Sequence, residues 1–153
     1  MTDSGFLSLE WASDDSSDGT GQLFGEAAST SFAGKSEAWF NDSALLEFAT
    51  RCESYPLDTK RLPSLSSGYG SGDEMMTTLA VDIYPIGSAG QVGVRVQLAS
   101  WYSTFPADRP LARCGVELEV LSSYNELRRL AEQLRHAVQA GGGRARLAED
   151  RFA

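Results

Sequence analysis

The residue types that carry most enzyme chemistry are sparse in this chain of 153 residues. Its one histidine, His136, lies on a predicted helix, nine positions after Leu127. On a helix that spacing turns it about 180° away from the apolar stripe that Leu127 begins. A Ser-His-Asp or Cys-His nucleophile needs the imidazole in a cleft beside its partner, and a histidine-based zinc site needs several ligands together. We therefore interpret His136 as a solvent-facing residue.

An acidic segment resembles the opening of a calcium loop. In Asp14-x-Ser16-x-Asp18-Gly19, oxygen ligands stand at alternate positions before a turn glycine. The bidentate glutamate that closes such a loop is missing, because Gly25 takes its place. The segment is therefore predicted to be a solvated hairpin loop, and no metal is expected.

A second segment, 68–72, has the glycine-rich sequence Gly-Tyr-Gly-Ser-Gly. A phosphate-binding loop directs backbone amides at the anion from a helix N-terminus, without carboxylates alongside. This run contains no lysine and leads into Asp73 and Glu74. A surface loop is favoured and no cofactor is expected, although Asp73 and Glu74 could serve an enzyme as an acid and base pair.

Aromatic residues on one predicted sheet face are the strongest functional signal. Strand parity puts Tyr84, Arg95 and Trp101 on the same outward row. Exposed tryptophan and tyrosine beside charged residues are typical of interface hot spots. The alternative is that the segment 101–110 folds its aromatics over the open end of its own sheet. We predict partner binding and no catalytic residue, with these binding residues: Tyr84, Arg95, Trp101, Tyr69, Asp14, Asp15, Asp18, Asp73 and Glu74.

The net charge of −8 is unevenly distributed. Residues 1–77 carry 13 acidic and 4 basic side chains, whereas residues 78–153 carry 8 acidic and 9 basic ones. Such a chain repels phosphates, so a nucleic-acid partner is not expected. The acidic balance favours a basic protein partner, or it serves solubility alone.

The sequence also predicts the compartment. No apolar run approaches the ~20 residues that span a bilayer, and the opening Met-Thr-Asp-Ser-Gly lacks the basic start and apolar run of a secretory signal. Cys52 and Cys114 are predicted to be reduced core residues. We expect a cytoplasmic protein without a membrane partner.

The elements that must position these residues are organised around the segment 77–100. Leu79, Val81 and Ile83 alternate with small or polar residues, and a second alternating strand follows a turn at 85–90. Pairing Val81 with either Val94 or Val96 keeps both apolar rows on one face.

Further strands and two helices surround this hairpin. One helix is predicted after the N-cap candidates Asn41, Asp42 and Ser43, and the other after a Ser123–Glu126 capping box, ending at Gly141. The sequence shows no internal repeat. The other predicted strands are 6–12, 22–31, 36–40, 65–69 and 111–121, with a short edge strand through Ala145 and Leu147.

This order of elements predicts a single α+β domain over 1–153. It has one antiparallel sheet of about five to seven strands, with the two amphipathic helices packed on one face. The other face, which carries Tyr84 and Arg95, is left to solvent or to a partner.

The layout resembles that of small acidic bacterial immunity proteins that accompany polymorphic toxins, including the type paired with wall-associated toxins. The likeness rests on Ser-Glu-Ala-Trp-Phe-Asn-Asp at 36–42, Asp-Ile-Tyr-Pro at 82–85 and Leu-Ser-Ser-Tyr at 121–124. It implies a stoichiometric inhibitor that covers the active site of a toxin and performs no chemistry. The alternative is a small-molecule-binding or regulatory domain with a pocket between the sheet and the segment 68–74.

Overall fold

The computed structural model describes residues 5–14, 18–69, 76–100 and 114–151. These residues form eight strands and two helices. In chain order they are β1 (Phe6–Ser13), β2 (Thr20–Ala28), β3 (Ala33–Asn41), α1 (Asp42–Cys52), β4 (Ser64–Tyr69), β5 (Met76–Ile86), β6 (Gln91–Ala99), β7 (Gly115–Ser123), α2 (Tyr124–Ala140) and β8 (Gly142–Ala148).

The strands build two antiparallel sheets of four strands each. The first sheet has the order β3-β2-β1-β8, and the second has the order β4-β5-β6-β7. The predicted α+β class is confirmed, but the prediction of one sheet of five to seven strands is wrong. Alternation within a strand shows which side is buried and not which strand is its neighbour, so the pairing of β8 with β1 at the far end of the chain left no local signal.

The chain follows the same path twice. The units β1-β2-β3-α1-β4 and β5-β6-β7-α2-β8 have the same order of elements, and the last strand of each unit pairs with the first strand of the other. The helices agree in the spacing of their buried side chains. In addition to Ala137 of α2, each helix buries four side chains at the same positions after its N-cap. These are Leu45, Phe48, Ala49 and Cys52 in α1, and Leu127, Leu130, Ala131 and Leu134 in α2. The fold is therefore repeated although the sequence shows no repeat.

Both helices begin and end at the expected kinds of residue. The Asn41 side chain accepts a hydrogen bond from the Ala44 amide at 3.1 Å, and the Ser123 hydroxyl accepts one from the Glu126 amide at 3.3 Å. Gly141 ends α2 with φ of 81°, a conformation that favours glycine. The second half of the predicted capping box is wrong, because the Glu126 carboxylate instead accepts from the amide of Ala148 in β8.

The inner faces of the two sheets share one hydrophobic core with the helices. Val81 pairs with Val96, one of the two registers that the sequence allowed. Gly25 in β2 allows the sheets to approach closely, since a Cβ atom there would lie 2.8 Å from the Leu79 Cδ1 atom of β5. Neither helix is long and apolar enough to cross a membrane.

The two cysteines have different environments. Cys52 is buried in α1, as predicted. Cys114 is exposed, and the prediction that it points inward from a strand starting at 111 is wrong for the described part of that segment. Gly115 begins β7, and Cys114 is instead fixed at the strand entrance by hydrogen bonds with Ser100. No disulfide joins Cys52 and Cys114.

Candidate binding surfaces

The predicted binding residues do not form one surface. Asp15, Asp73, Glu74 and Trp101 lie outside the described residues. The other five fall in three places: Tyr84 and Arg95 on the second sheet, Asp14 and Asp18 on the β1–β2 hairpin, and Tyr69 at the end of β4. Tyr69 pairs with Met76, so it lies roughly 25 Å along β5 from Tyr84.

Tyr84 and Arg95 lie on the outer face of the second sheet, as predicted. Asp82 faces Arg95 across β5 and β6, and Arg95 faces Glu119 across β6 and β7. An Arg95 Nη2 atom donates to the Glu117 carboxylate at 3.1 Å, and the Tyr84 hydroxyl donates to the carboxylate of Glu119. These side chains are therefore already paired with one another.

The pairing of Tyr84 is reflected in its acidity. Burial raises the pKa of the phenol to about 12, and the hydrogen bond and negative charge of Glu119 add to this shift. The neutral phenol donates a hydrogen bond to the carboxylate of Glu119. Ionisation of the phenol would break this bond and place two negative charges together. This arrangement holds β5 to β7 across β6, and it leaves Tyr84 less available as an interface anchor.

The β1–β2 hairpin is organised by its own hydrogen bonds. The Asp18 carboxylate accepts from the backbone amide of Thr20 at 3.1 Å and from its hydroxyl at 2.7 Å. The backbone amide of Asp14 donates to the Thr20 carbonyl at 2.9 Å. Within the described residues, no three histidine, cysteine, aspartate or glutamate side chains are grouped so that they could hold a metal ion.

Tyr69 contributes to a groove of about 590 Å³ where the edge of the first sheet meets the second. Residues from β2 and β3 form one side of it, and Tyr69, Thr78 and Ser100 form the other. We call it the aromatic groove. Its lining residues are Gln22, Phe24, Lys35, Ser36, Glu37, Trp39, Tyr69, Thr78 and Ser100.

Two large aromatic side chains are exposed in this groove. Trp39 is 45% exposed and Phe24 is 37% exposed. Phe24 faces Glu37 across the β2–β3 pair, and Gln22 faces Trp39, so the two rings occupy diagonal positions on the same outer face. Diagonal neighbours of this kind are within reach of aromatic side chains, and we call this pair of exposed rings the aromatic shelf.

Hydroxyl groups of the second sheet hold the backbone of β3 in place. The Thr78 hydroxyl donates to the Glu37 carbonyl at 2.6 Å, and the Ser67 hydroxyl donates to the Trp39 carbonyl at 2.7 Å. From the other side, the Ser36 hydroxyl donates to the Ala99 carbonyl at 2.7 Å. These bonds fix the strand from which Trp39 projects, so the shelf is attached to a rigid support.

The polar groups of the groove are mixed in sign. Lys35 lies 3.4 Å from the Glu26 carboxylate across β2 and β3. The pKa of the Tyr69 hydroxyl is raised, chiefly by burial, with an opposing effect from a hydrogen bond with the Gln22 side chain and a smaller increase from the charge of Glu37. Tyr69 is therefore a neutral hydrogen-bonding group near neutral pH.

Comparison with protein-family models, with curated proteins and with solved structures finds no match to this chain. His136 is exposed on α2, as predicted, and does not line the groove.

The aromatic groove combines one predicted residue, Tyr69, with two that the sequence analysis missed. A signal for the missed pair was present, because Ala38 and Phe40 are apolar and parity then turns Trp39 outward. The same parity turns Phe24 away from the buried Leu23. Their meeting with Tyr69 depends on contact between two sheets, which parity does not reveal.

Proposed function

We propose that this chain is a non-catalytic binding protein that takes a basic protein domain onto its aromatic groove and blocks it sterically. The resemblance to immunity proteins suggests that the domain belongs to a bacterial toxin. One observation carries the proposal: Trp39 and Phe24 are both exposed, and the backbone of β3, which carries Trp39, is hydrogen-bonded to the second sheet.

The exposed aromatic side chains of the groove are suited to supply binding energy. Large aromatic residues dominate interface hot spots, where truncation to alanine costs about 2–4 kcal/mol. An anchor on a rigid support loses little conformational freedom on binding, and the hydrogen bond from Ser67 to the Trp39 carbonyl provides such support. Gln22, Glu37 and Tyr69 supply a polar rim that could pair with polar groups of the partner.

The charge of the chain supports the same proposal. The chain carries a net charge of −8. An acidic surface speeds encounter with a basic partner and slows encounter with acidic ones, most strongly at low ionic strength. The exposed side chains of Asp14 and Asp18 on the β1–β2 hairpin belong to this field. We assign them a role in association rate and not in direct contact.

The proposal assigns no chemical step, cofactor, nucleic acid or membrane to the chain. Steric inhibition needs only a surface, and the groove provides one. A cytoplasmic location is part of the proposal. It agrees with the two cysteines not being joined by a disulfide, because cytoplasmic thiols are kept reduced.

A second candidate function has support from the size of the groove. A volume of about 590 Å³ falls in the range of small-molecule pockets. Aromatic walls with Gln22, Glu37 and Tyr69 as hydrogen-bonding groups would suit a planar ligand with polar edges. In this case the chain would be a ligand-binding or regulatory domain.

Co-expression with the toxin encoded by a neighbouring gene separates the two candidates. The proposal predicts that a sensitive bacterium survives with the wild-type chain and dies with Trp39→Ala. Tyr55→Ala is the matched control, because Tyr55 is 72% exposed but does not line the groove. Survival with both variants would contradict the groove as the interface, and the absence of rescue by the wild type would contradict the inhibitor function.

A further inference from the structure

Between residues 115 and 119, the outer edge of β7 presents backbone groups to which no described residue is hydrogen-bonded. The Ser100 amide donates to the Cys114 carbonyl, and the register then pairs every second residue of β7 with β6 by hydrogen bonds. The amides and carbonyls of Gly115, Glu117 and Glu119 therefore point away from β6. The Leu121 carbonyl has the same direction, and it accepts from the Asp150 amide at 2.9 Å. Among the described residues, the edge from 115 to 119 has no such partner.

Two outward carbonyls of the equivalent edge in the other unit accept hydrogen bonds. The positions of Glu119 and Leu121 in β7 correspond to those of Glu37 and Trp39 in β3. The Glu37 carbonyl accepts a hydrogen bond from Thr78, and the Trp39 carbonyl accepts one from Ser67. In the first sheet, the register places Phe6 of β1 at the position of Thr78 and Leu147 of β8 at the position of Ser67. Neither of these side chains can donate a hydrogen bond. The carbonyls of Glu37 and Trp39 are therefore bonded by the second sheet, whereas the outward carbonyls of Glu117 and Glu119 have no such partner among the described residues.

The side chains along the open edge alternate in character. Glu117 and Glu119 are exposed on the outer face, and Val116 and Leu118 are half-buried on the inner face. The Glu117 carboxylate binds Arg95 and remains 54% exposed. Glu119 accepts a hydrogen bond from the uncharged hydroxyl of Tyr84, so this bond brings no opposite charge to the carboxylate.

We propose that β7 accepts an extended segment of another protein as an added strand, with basic and apolar residues alternating along that segment. Backbone bonds to Glu117 and Glu119 would supply affinity, and the alternating side chains would supply selection. A second copy of this chain does not fit, because pairing β7 with itself brings glutamates close to glutamates. The inference is independent of the aromatic groove.

Two synthetic peptides test this inference on the full chain. One is an eight-residue peptide of alternating lysine and valine, and the other replaces each lysine with glutamate. Backbone amide exchange is followed by NMR. The lysine peptide is expected to slow exchange at Glu117 and Glu119 by roughly tenfold at saturation, and the glutamate peptide is expected to leave both amides unchanged.

A proline variant separates strand addition from simple charge attraction. Glu117→Pro removes an outward amide without removing a bond to β6, a position that tolerates proline on an edge strand. It should abolish the peptide effect, whereas the matched Glu117→Gln variant should retain at least part of it. If circular dichroism shows that Glu117→Pro does not fold, Glu119→Lys takes its place and should weaken binding of the lysine peptide at least severalfold.

Three results would overturn the inference. The first is that the amides of Glu117 and Glu119 are already protected in the free protein. The second is equal binding of the lysine and glutamate peptides. The third is no effect of either peptide, which would show that the glutamates only guard the edge against association.

Discussion

Replacement of Gly25 by alanine tests the contact between the two sheets. An added Cβ atom would lie 2.8 Å from the Leu79 Cδ1 atom and 3.3 Å from the Leu98 Cδ2 atom. Leu79 is fully buried and Leu98 is 2% exposed, so neither side chain can move aside into solvent. Overpacking of this kind costs about 1–3 kcal/mol. The loss of glycine freedom in the unfolded chain offsets about 0.4–1 kcal/mol.

The expected net change is a loss of about 1–2 kcal/mol in the free energy of unfolding. Urea denaturation followed by circular dichroism measures it. Gly115→Ala is the matched control, because its added Cβ atom meets the Leu98 carbonyl oxygen at 3.4 Å, an ordinary contact. Its stability should stay within about 0.5 kcal/mol of the wild type or rise slightly.

A double-mutant cycle identifies the contact. Leu79→Ala alone costs about 2–5 kcal/mol because it leaves a cavity. It also removes the side chain that the new methyl group meets, so the double variant should be more stable than the sum of the single effects by about 0.5–3 kcal/mol. If Gly25→Ala matched the wild type and showed no coupling to Leu79→Ala, the packing of the two sheets described above would be wrong.

Three other predictions concern the thiols, the outer face of the second sheet and the exchanged strands. Burial raises the pKa of the Cys52 thiol, so an alkylating reagent should modify only Cys114 in the native protein and both thiols after unfolding; two rapid modifications in the native state would refute this. The pKa of Tyr84 is raised to about 12. Its contribution to stability is therefore fully present below the ordinary phenol pKa of about 10 and is lost as pH rises through about 12. Absorbance titration of the wild type against Tyr84→Phe should show one late-titrating phenol, and titration of Tyr84 near pH 10 would contradict its pairing with Glu119. The last strand of each unit pairs with the first strand of the other. The fragments 1–72 and 73–153 should therefore fold only when co-expressed and should purify as a one-to-one complex. Folding of either fragment alone would argue against this exchange of strands between the units.

Local features of this fold could be predicted from the sequence. Alternation around Val81 located β5 and β6, and side-chain chemistry located the N-caps at Asn41 and Ser123. These features depend on residues a few positions apart. The periodic spacing of buried side chains is a property of a single strand or helix. It therefore predicts the individual elements, but it does not predict that the strands divide into two sheets.

The non-local features were beyond such reasoning. The pairing of β8 with β1, and the use of Glu126 to bond the Ala148 amide, join residues whose chemistry has no local signature. The same reason explains the candidate site. Tyr69 is predicted as a surface aromatic residue and parity turns Trp39 outward, but only the contact of β3 with the second sheet brings the two residues into one groove.

The proposed inhibition is tested most directly by the dissociation rate of the complex that this chain is expected to form with a toxin domain encoded by a neighbouring gene. Surface plasmon resonance at two salt concentrations would compare the wild type with Trp39→Ala and Tyr55→Ala. We expect Trp39→Ala to raise the dissociation rate at least tenfold, consistent with a loss of about 2 kcal/mol or more of binding free energy at a hot spot. Tyr55→Ala should change the dissociation rate little. The association rate should fall as salt rises for all three proteins. An unchanged dissociation rate for Trp39→Ala would contradict the assignment of the aromatic groove as the docking surface.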